Sequence, residues 1–127
     1  MTEEKILKPT EGELEILRVL WDKKTATVRD VHEAINMYKE SGYTTTLKLM
    51  QIMFEKGLVK RDDSGKTHIY EALVSKEKTQ KQLVNKMVNS LFDGSSTQLV
   101  MQALGTHAPS ADELNKIQKL LDNLKKG

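Results

Sequence analysis

Apolar residues in the first half of the chain recur at helical spacing in three segments separated by short polar stretches. The predicted helices span residues 11–22, about 28–36, and 42–56. Capping boxes at Thr10 to Glu13 and Thr27 to Asp30 satisfy free backbone N–H groups and mark the first two starts. Gly57 is suited to the left-handed conformation that ends the third helix. The expected apolar face of the third helix comprises Leu47, Met50, Met53 and Phe54.

The segment after the third helix alternates as a β-hairpin does. Residues 58–61 and 67–73 are strand-like, and a polar turn cluster over 62–66 separates them. The polar break at 23–26 is expected to add a minimal strand. Three helices followed by a hairpin is the element order of a winged helix-turn-helix. We therefore predict a mainly α fold with a small β-hairpin, in which residues 1–74 form a winged-helix DNA-binding domain.

Three more amphipathic helices are predicted over residues 75–127. The first begins at Ser75 and is broken at Gly94, the second ends at Gly105, and the third starts with a capping box at Ser110. Their apolar stripes exceed what a thin appendage buries alone, so we expect a helical dimerisation domain in which two copies pair across a two-fold axis. The expected interface residues are Leu83, Met87, Leu91, Leu99, Leu114, Ile117, Leu121 and Leu124.

The composition is that of a globular, helix-rich protein and excludes several classes. The 127 residues are 38% hydrophobic and 30% charged, unlike disordered or collagen-like chains. No apolar run approaches the ~20 residues of a membrane span, and residues 1–8 lack a secretory signal, so we expect a cytoplasmic protein. The absence of Cys excludes disulfides, thiolate zinc sites and cysteine nucleophiles. His32, His68 and His107 lack metal-ligand spacing, so no metal or other cofactor is expected.

The net charge of +2 is by itself weak evidence for a polyanionic partner. The more informative pattern is a row of polar residues on the third helix. Thr44, Lys48 and Gln51 share one polar face at i, i+4 and i+7. Hydroxyls near a helix start hold phosphate oxygens, whereas Lys reaches guanine acceptors and Gln pairs with adenine. Basic residues of the hairpin are expected to contact phosphates. The predicted DNA-binding residues are Tyr43, Thr44, Thr45, Lys48, Gln51, Lys60, Arg61 and Lys66.

Two other functions are alternatives to DNA reading, and a third adds ligand sensing to it. A winged-helix adaptor for proteins would expose an apolar row on the third helix, and the polar row argues against it. An enzyme is disfavoured because the chain has no Gly-rich phosphate loop, His-Glu-x-x-His or nucleophile elbow. A ligand-sensing repressor stays open, although Met at helical spacing is more commonly core than pocket lining. Its expected pocket residues are Met50, Met53, Met87 and Met101.

Several segments carry a resemblance to a known family. They are Leu14 to Trp21 after its Thr-x-x-Glu start, Val28 to Val31, Tyr43 to Thr45, Lys56 to Val59, Gly65 to Tyr70, Ser90 to Gly94 and Leu99-Val100. Together they resemble the penicillinase-repressor family, also called BlaI/MecI, over residues 7 to about 125. The Leu-x-x-Leu-Trp and Tyr-Thr-Thr elements are its more specific parts when they occur together.

The resemblance implies a homodimeric repressor that binds a palindromic operator upstream of resistance or stress genes. In the best-known members, a membrane sensor with a metalloprotease domain responds to β-lactams, and the repressor is cleaved in its dimerisation half. The bond implied here joins Gln102 and Ala103, but residues 99–103 read Leu-Val-Met-Gln-Ala where the family has Leu-Val-Leu-Asn-Phe. The copper-responsive branch carries a Cys-rich tail, which this chain lacks. Leu47 and Lys48 replace the Arg and Thr of staphylococcal-type members, so the operator need not be theirs.

Overall fold

The computed structural model describes residues 8–127 and has the predicted winged-helix order of elements. Residues 1–7 lie outside the described part of the chain. The segment predicted to lack a secretory signal, residues 1–8, therefore lies outside it except for Lys8. The elements are α1 (Glu11–Lys23), α2 (Val28–Asn36), α3 (Tyr43–Lys56), β1 (Val59–Asp62), β2 (Ile69–Ala72), α4 (Lys76–Leu91), α5 (Ser96–Thr106) and α6 (Ala111–Lys126). The prediction of a mainly α fold with a small antiparallel hairpin is confirmed.

Side-chain caps begin three of the helices where the sequence predicts them. Thr10 and Glu13 exchange reciprocal bonds at the start of α1, as do Thr27 and Asp30 at α2 and the Ser110 pair at α6. Helix α3 ends at Gly57, whose φ of 84° lies in the left-handed region that glycine adopts without steric cost. These local signals fix the helix bounds before any tertiary contact is considered.

The core of the winged helix forms where α1, α2 and α3 pack against the hairpin. The backbone of Ala26 exchanges two hydrogen bonds with that of Tyr70, which attaches the predicted minimal strand to the edge of β2. The Trp21 indole N–H donates to the Val74 carbonyl at 2.9 Å and thereby ties α1 to the end of the hairpin. The fully buried side chains include Ile16, Leu17, Leu20, Val31, Met50, Met53, Leu58, Val59 and Tyr70.

One carboxylate lies in this core. Glu13 is 1% exposed, and both of its oxygens accept hydrogen bonds from Lys56 Nζ at 2.9 Å. Burial raises the pKa of Glu13, but the bonds from the Thr10 backbone N–H and from Lys56 outweigh it, so the pKa lies below its ordinary value. The pair joins the first turn of α1 to the last turn of α3.

The predicted apolar face of α3 is wrong at Phe54. The Phe54 side chain is 38% exposed, whereas Thr46 is buried. Helical geometry explains why Thr46 is buried in place of Phe54. Thr46 and Met53 lie one turn before and one turn after Met50 and form the buried face with it, whereas Phe54 lies at the margin of that face. The Phe54 ring is covered instead by the Arg61 guanidinium, 4.2 Å from its centroid.

The chain divides into two compact units between Leu83 and Val84. The second unit contains the end of α4 together with α5 and α6, and neither α5 nor α6 contains a fully buried residue. Gly94, at φ 86°, lies in the turn after α4, as the sequence predicts. No helix within residues 8–127 combines the length and apolar character needed to cross a membrane. The assignment of the two parts to DNA binding and dimerisation remains a prediction.

Candidate nucleic-acid interface

Helix α3 presents a polar face opposite the side that it buries. Thr46, Met50 and Met53 hold the helix against the core, so residues about half a turn away point outward. Thr44, Lys48 and Gln51 are all exposed there, and Glu55 continues the row toward the end of the helix. Tyr43 and Thr45 are also exposed, at the start of the helix. All five α3 residues predicted to bind DNA therefore lie on the accessible surface.

The start of α3 leaves backbone donors available. Its N-cap residue is Gly42, which provides no side-chain hydrogen bond to the first turn. The first N–H groups of a helix have no partner within the helix, and the helix dipole favours an anion beside them. Two hydroxyls, from Thr44 and Thr45, stand in the same turn. This end of α3 is suited to a phosphate group.

The turn between α2 and α3 is held by one amide side chain. Asn36 Nδ2 donates to the carbonyls of His32 and Ser41 at 2.9 and 3.0 Å, and the Ser41 N–H donates back to Asn36 Oδ1 at 3.2 Å. These bonds span the connection and fix where α3 begins. The orientation of α3 therefore depends on Asn36, a residue that the sequence analysis treated only as the end of the second helix.

Tyr43 is packed between two side chains of α2. Its ring meets the His32 ring edge-on at 5.5 Å between centroids, and the Arg29 guanidinium lies 5.8 Å from its centroid. Arg29 is exposed and forms no ion pair within residues 8–127. Arg29 is absent from the predicted DNA-binding residues, because Val28 to Asp30 was interpreted only as a helix start and as part of the family resemblance. Its place in the first turn of α2, two residues after the capping Thr27 and at the α2 end beside α3, is the signal that would have identified it.

The three basic hairpin residues predicted to contact phosphates differ in their surroundings. Lys60 lies 3.6 Å from the Glu71 carboxylate across the hairpin. Arg61 forms a double contact with Asp63, and hydrogen bonding to Asp63 raises the pKa of Arg61 further. Lys66 stands exposed at the tip and has no ion-pair partner in the described chain. Of the three side chains, only that of Lys66 is free of a nearby carboxylate.

A groove of about 460 Å³ separates α3 from the hairpin and the start of α2. It brings together Tyr43, Gln51, Arg61 and Lys66 from the predicted set, whereas Thr44, Thr45, Lys48 and Lys60 do not line it. The basic side chains of Arg29, from α2, and of Arg61 and Lys66, from the hairpin, converge on it, and Val28, Leu47 and Tyr70 also line it. The full lining is Thr27, Val28, Arg29, Tyr43, Leu47, Gln51, Arg61, Lys66, Thr67, His68 and Tyr70.

The residues expected at a dimer interface lie in the helices after the hairpin. Most of them are solvent-exposed apolar side chains, namely Met87, Leu91, Leu114, Leu121 and Leu124. Leu83, Leu99 and Ile117 are half-buried. Of the four methionines considered for a ligand pocket, Met50 and Met53 fill the winged-helix core, while Met87 and Met101 are exposed. Gln102 and Ala103 are exposed within α5.

Comparison with known proteins agrees with this architecture. A penicillinase repressor family model matches residues 9–123. The methicillin resistance regulatory protein MecI of Staphylococcus aureus strain N315 is 24% identical over 111 residues, which are 87% of this chain and 90% of that protein.

Two solved structures share the fold. The solution structure of Bacillus licheniformis BlaI, as a monomeric form in complex with the blaP half-operator, has a TM-score of 0.50 at 18% identity and covers 57% of this chain and 89% of its own. A MarR mutant from E. coli complexed with operator DNA has a TM-score of 0.53 at 16% identity and covers 92% and 76%. At these identities the likeness supports the winged-helix fold.

Proposed function

This chain belongs to the penicillinase repressor family of winged-helix transcriptional regulators, and we propose that it is a homodimeric repressor that binds a palindromic operator. The observation that carries the proposal is the exposed polar row of α3 beside a groove lined by Arg29 and Lys66. MecI of Staphylococcus aureus carries the name of a resistance regulator, so we extend the proposal to genes of antibiotic resistance. Because operator DNA lies in the cytoplasm, we assign the protein to that compartment.

In the proposed complex, α3 enters the major groove and the hairpin lies along the neighbouring backbone. Lys48 and Gln51 reach base edges, because a Lys ammonium suits guanine acceptors and a Gln amide pairs with adenine. Thr44, Thr45 and the free N–H groups at the start of α3 hold a phosphate, and Tyr43 supports this turn. Lys66 contacts the backbone at the hairpin tip, and Arg61 and Lys60 do so once they leave their carboxylates. Phosphate contacts of this kind position the head without reading sequence.

The dimer is supported by apolar surface that the single chain leaves in water. Leu114, Leu121 and Leu124 repeat along one side of α6, and Met87 and Leu91 do so along α4. Contiguous exposed apolar stripes mark interaction surfaces, and a second copy provides a self-complementary partner across a two-fold axis. Two linked heads then bind two half-sites about one helical turn apart, or a multiple of it.

Release on induction is proposed to follow loss of this bivalency. A cut between Gln102 and Ala103 by a membrane sensor metalloprotease would separate the heads, and the gain in affinity from linkage would disappear. Both residues are exposed, but they lie inside α5, where the Gln102 carbonyl accepts from Thr106 Oγ1 at 3.0 Å. A protease that needs an extended strand must first unwind this helix. Cleavage is therefore expected to depend on local opening of α5.

The test compares Lys48→Ala with Lys66→Ala on a specific duplex, enriched from a random pool, and on its scrambled counterpart. Lys48→Ala is expected to weaken the specific complex roughly 5- to 150-fold, corresponding to about 1–3 kcal/mol for one good base contact, and to change scrambled binding little. Lys66→Ala is expected to weaken both complexes by the same factor. Lys119→Ala, which removes a charge from the polar side of α6, is the matched control. Equal loss of both complexes in Lys48→Ala would contradict a reading role for α3.

A further inference from the structure

Arg61 is held by a carboxylate on its own hairpin. Its Nε donates to Asp63 Oδ1 at 2.7 Å and its Nη2 donates to Asp63 Oδ2 at 3.3 Å. The Asp63 carboxylate therefore covers one edge of the guanidinium with two parallel bonds. This edge is one of the two that Arg offers to a phosphate group, because carboxylate and phosphate oxygens match the guanidinium fork in the same way.

The rest of the side chain is fixed by Phe54. The guanidinium lies 4.2 Å from the Phe54 centroid, which is within the range of a cation–π contact. As a result only 21% of the Arg61 side chain is exposed, whereas 51% of the Asp63 side chain is exposed. Phe54 keeps Arg61 at the groove while Asp63 occupies one of its two binding edges. His68 Nε2 also lies beside this carboxylate, 3.6 Å from Asp63 Oδ1.

We propose that Asp63 is an internal competitor of the DNA backbone for Arg61 and thereby lowers and sets operator affinity; the inference rests on the proposed function. Arg61 lines the groove with Arg29 and Lys66, so a phosphate that lies there competes for the edge that Asp63 holds. The exchange has a low cost, because the Asp63 carboxylate is half-exposed and an exposed ion pair contributes little free energy. Asp63 also places a negative charge beside the groove and repels phosphate.

The neighbouring Asp62 provides a matched comparison. Its carboxylate accepts from the Ser64 backbone N–H at 2.9 Å and forms no ion pair in the described chain. Asp62→Asn and Asp63→Asn each remove one negative charge from the same turn. Asparagine retains an acceptor oxygen for the Ser64 N–H, so Asp62→Asn keeps the turn bond. Only Asp63→Asn weakens the hold on Arg61.

The experiment measures the Kd of the full chain, wild type and variants, for one enriched duplex at fixed salt. Asp63→Asn is expected to bind roughly two- to fivefold tighter, the range that one exposed ion pair of up to about 1 kcal/mol supplies. Asp62→Asn is expected to bind less than about 1.5-fold tighter, through screened charge alone. In an Arg61→Ala background, the gain from Asp63→Asn is expected to fall to the Asp62→Asn level. Superimposable thermal melts establish that all variants are folded.

Five results would overturn the inference. Weaker binding by Asp63→Asn would mean that Asp63 positions Arg61 for DNA and does not compete with it. An equal gain in Asp62→Asn and Asp63→Asn, or a gain that survives in Arg61→Ala, would reduce the effect to net charge. Failure of the wild-type chain to prefer any duplex would overturn the proposed function as well. Normal wild-type binding with an unchanged Asp63→Asn variant would overturn the competition alone.

Discussion

Replacing Glu13 by glutamine tests whether the buried carboxylate holds α1 to α3. Glu13 is 1% exposed and accepts from the Thr10 N–H at 2.9 Å and from Lys56 Nζ at 2.9 Å on both oxygens. Glutamine has nearly the same shape and retains an oxygen for the Thr10 N–H, as the capping box allows. The substitution therefore removes mainly the negative charge that faces Lys56.

The expected loss of stability follows from these contacts. A hydrogen bond to a charged group contributes about 1.5–3 kcal/mol. Lys56 is 40% exposed, so it regains water when its partner is lost, and we expect the lower part of the range, about 1.5–2 kcal/mol. Glu13→Ala also loses the capping bond and leaves a void, so about 2–4 kcal/mol is expected. Glu11→Gln, an exposed change in the same turn, is the control and is expected to stay within about 0.5 kcal/mol.

The effect is expected to depend on pH. Burial raises the pKa of Glu13, but the Thr10 and Lys56 bonds outweigh it, and the folded pKa lies below the ordinary value of about 4.3. A depressed folded pKa adds stability that is fully present above the unfolded pKa and is lost as pH falls through the folded pKa. The difference between wild type and Glu13→Gln is therefore largest near neutral pH and shrinks below about pH 4.3.

Urea unfolding monitored by Trp21 fluorescence measures this difference. Trp21 is the one tryptophan of the chain and packs against the same core, where its indole bonds to Val74. The signal therefore reports the winged helix itself. A stabilising role of the Glu13 charge is refuted if Glu13→Gln is as stable as Glu11→Gln at pH 7, or if the difference in unfolding free energy between Glu13→Gln and wild type stays constant down to pH 3.

Two further predictions concern the groove and the second unit. Arg29→Ala is expected to weaken binding to all duplexes roughly five- to twentyfold and to reduce the slope of log K against log salt concentration by about 0.9, as for one lost phosphate contact. The control Arg18→Ala on α1 is expected to change neither quantity. Salt titrations of duplex binding measure both, and an unchanged slope excludes Arg29 from the interface. Leu121→Asp is expected to give monomers in sedimentation with much weaker operator binding, because it places a charge in the proposed dimer interface. Asn115→Asp on the polar side of α6 is its control, and an unchanged sedimentation coefficient would exclude this interface.

Much of the fold could be predicted because its signals are local. The capping pairs at Thr10 and Thr27 need only residues three positions apart, and Gly57 needs only its own conformational freedom. The hairpin follows from alternation around a polar turn. The exposed row of α3 is also local, since helical periodicity alone places Thr44, Lys48 and Gln51 on one face.

The rest depends on which element packs against which. Phe54 was expected in the core because apolar residues usually are, but Arg61 from another element covers it. The contact between Arg29 and Tyr43 joins two helices, and no spacing within either helix predicts it. The pair Arg61 and Asp63 is close in sequence, yet the stacking that fixes its direction is tertiary. The sequence therefore does not predict which groups the charged side chains of the site contact.

Selection from a pool of random duplexes, sequenced after binding to the full chain at two salt concentrations, tests whether two copies of α3 read a two-fold symmetric DNA site. We predict an enriched palindrome whose half-site centres are about 10 base pairs apart, or a multiple of that spacing, and which remains enriched at the higher salt. Binding without enrichment, with a steep fall in affinity as salt increases, would contradict it.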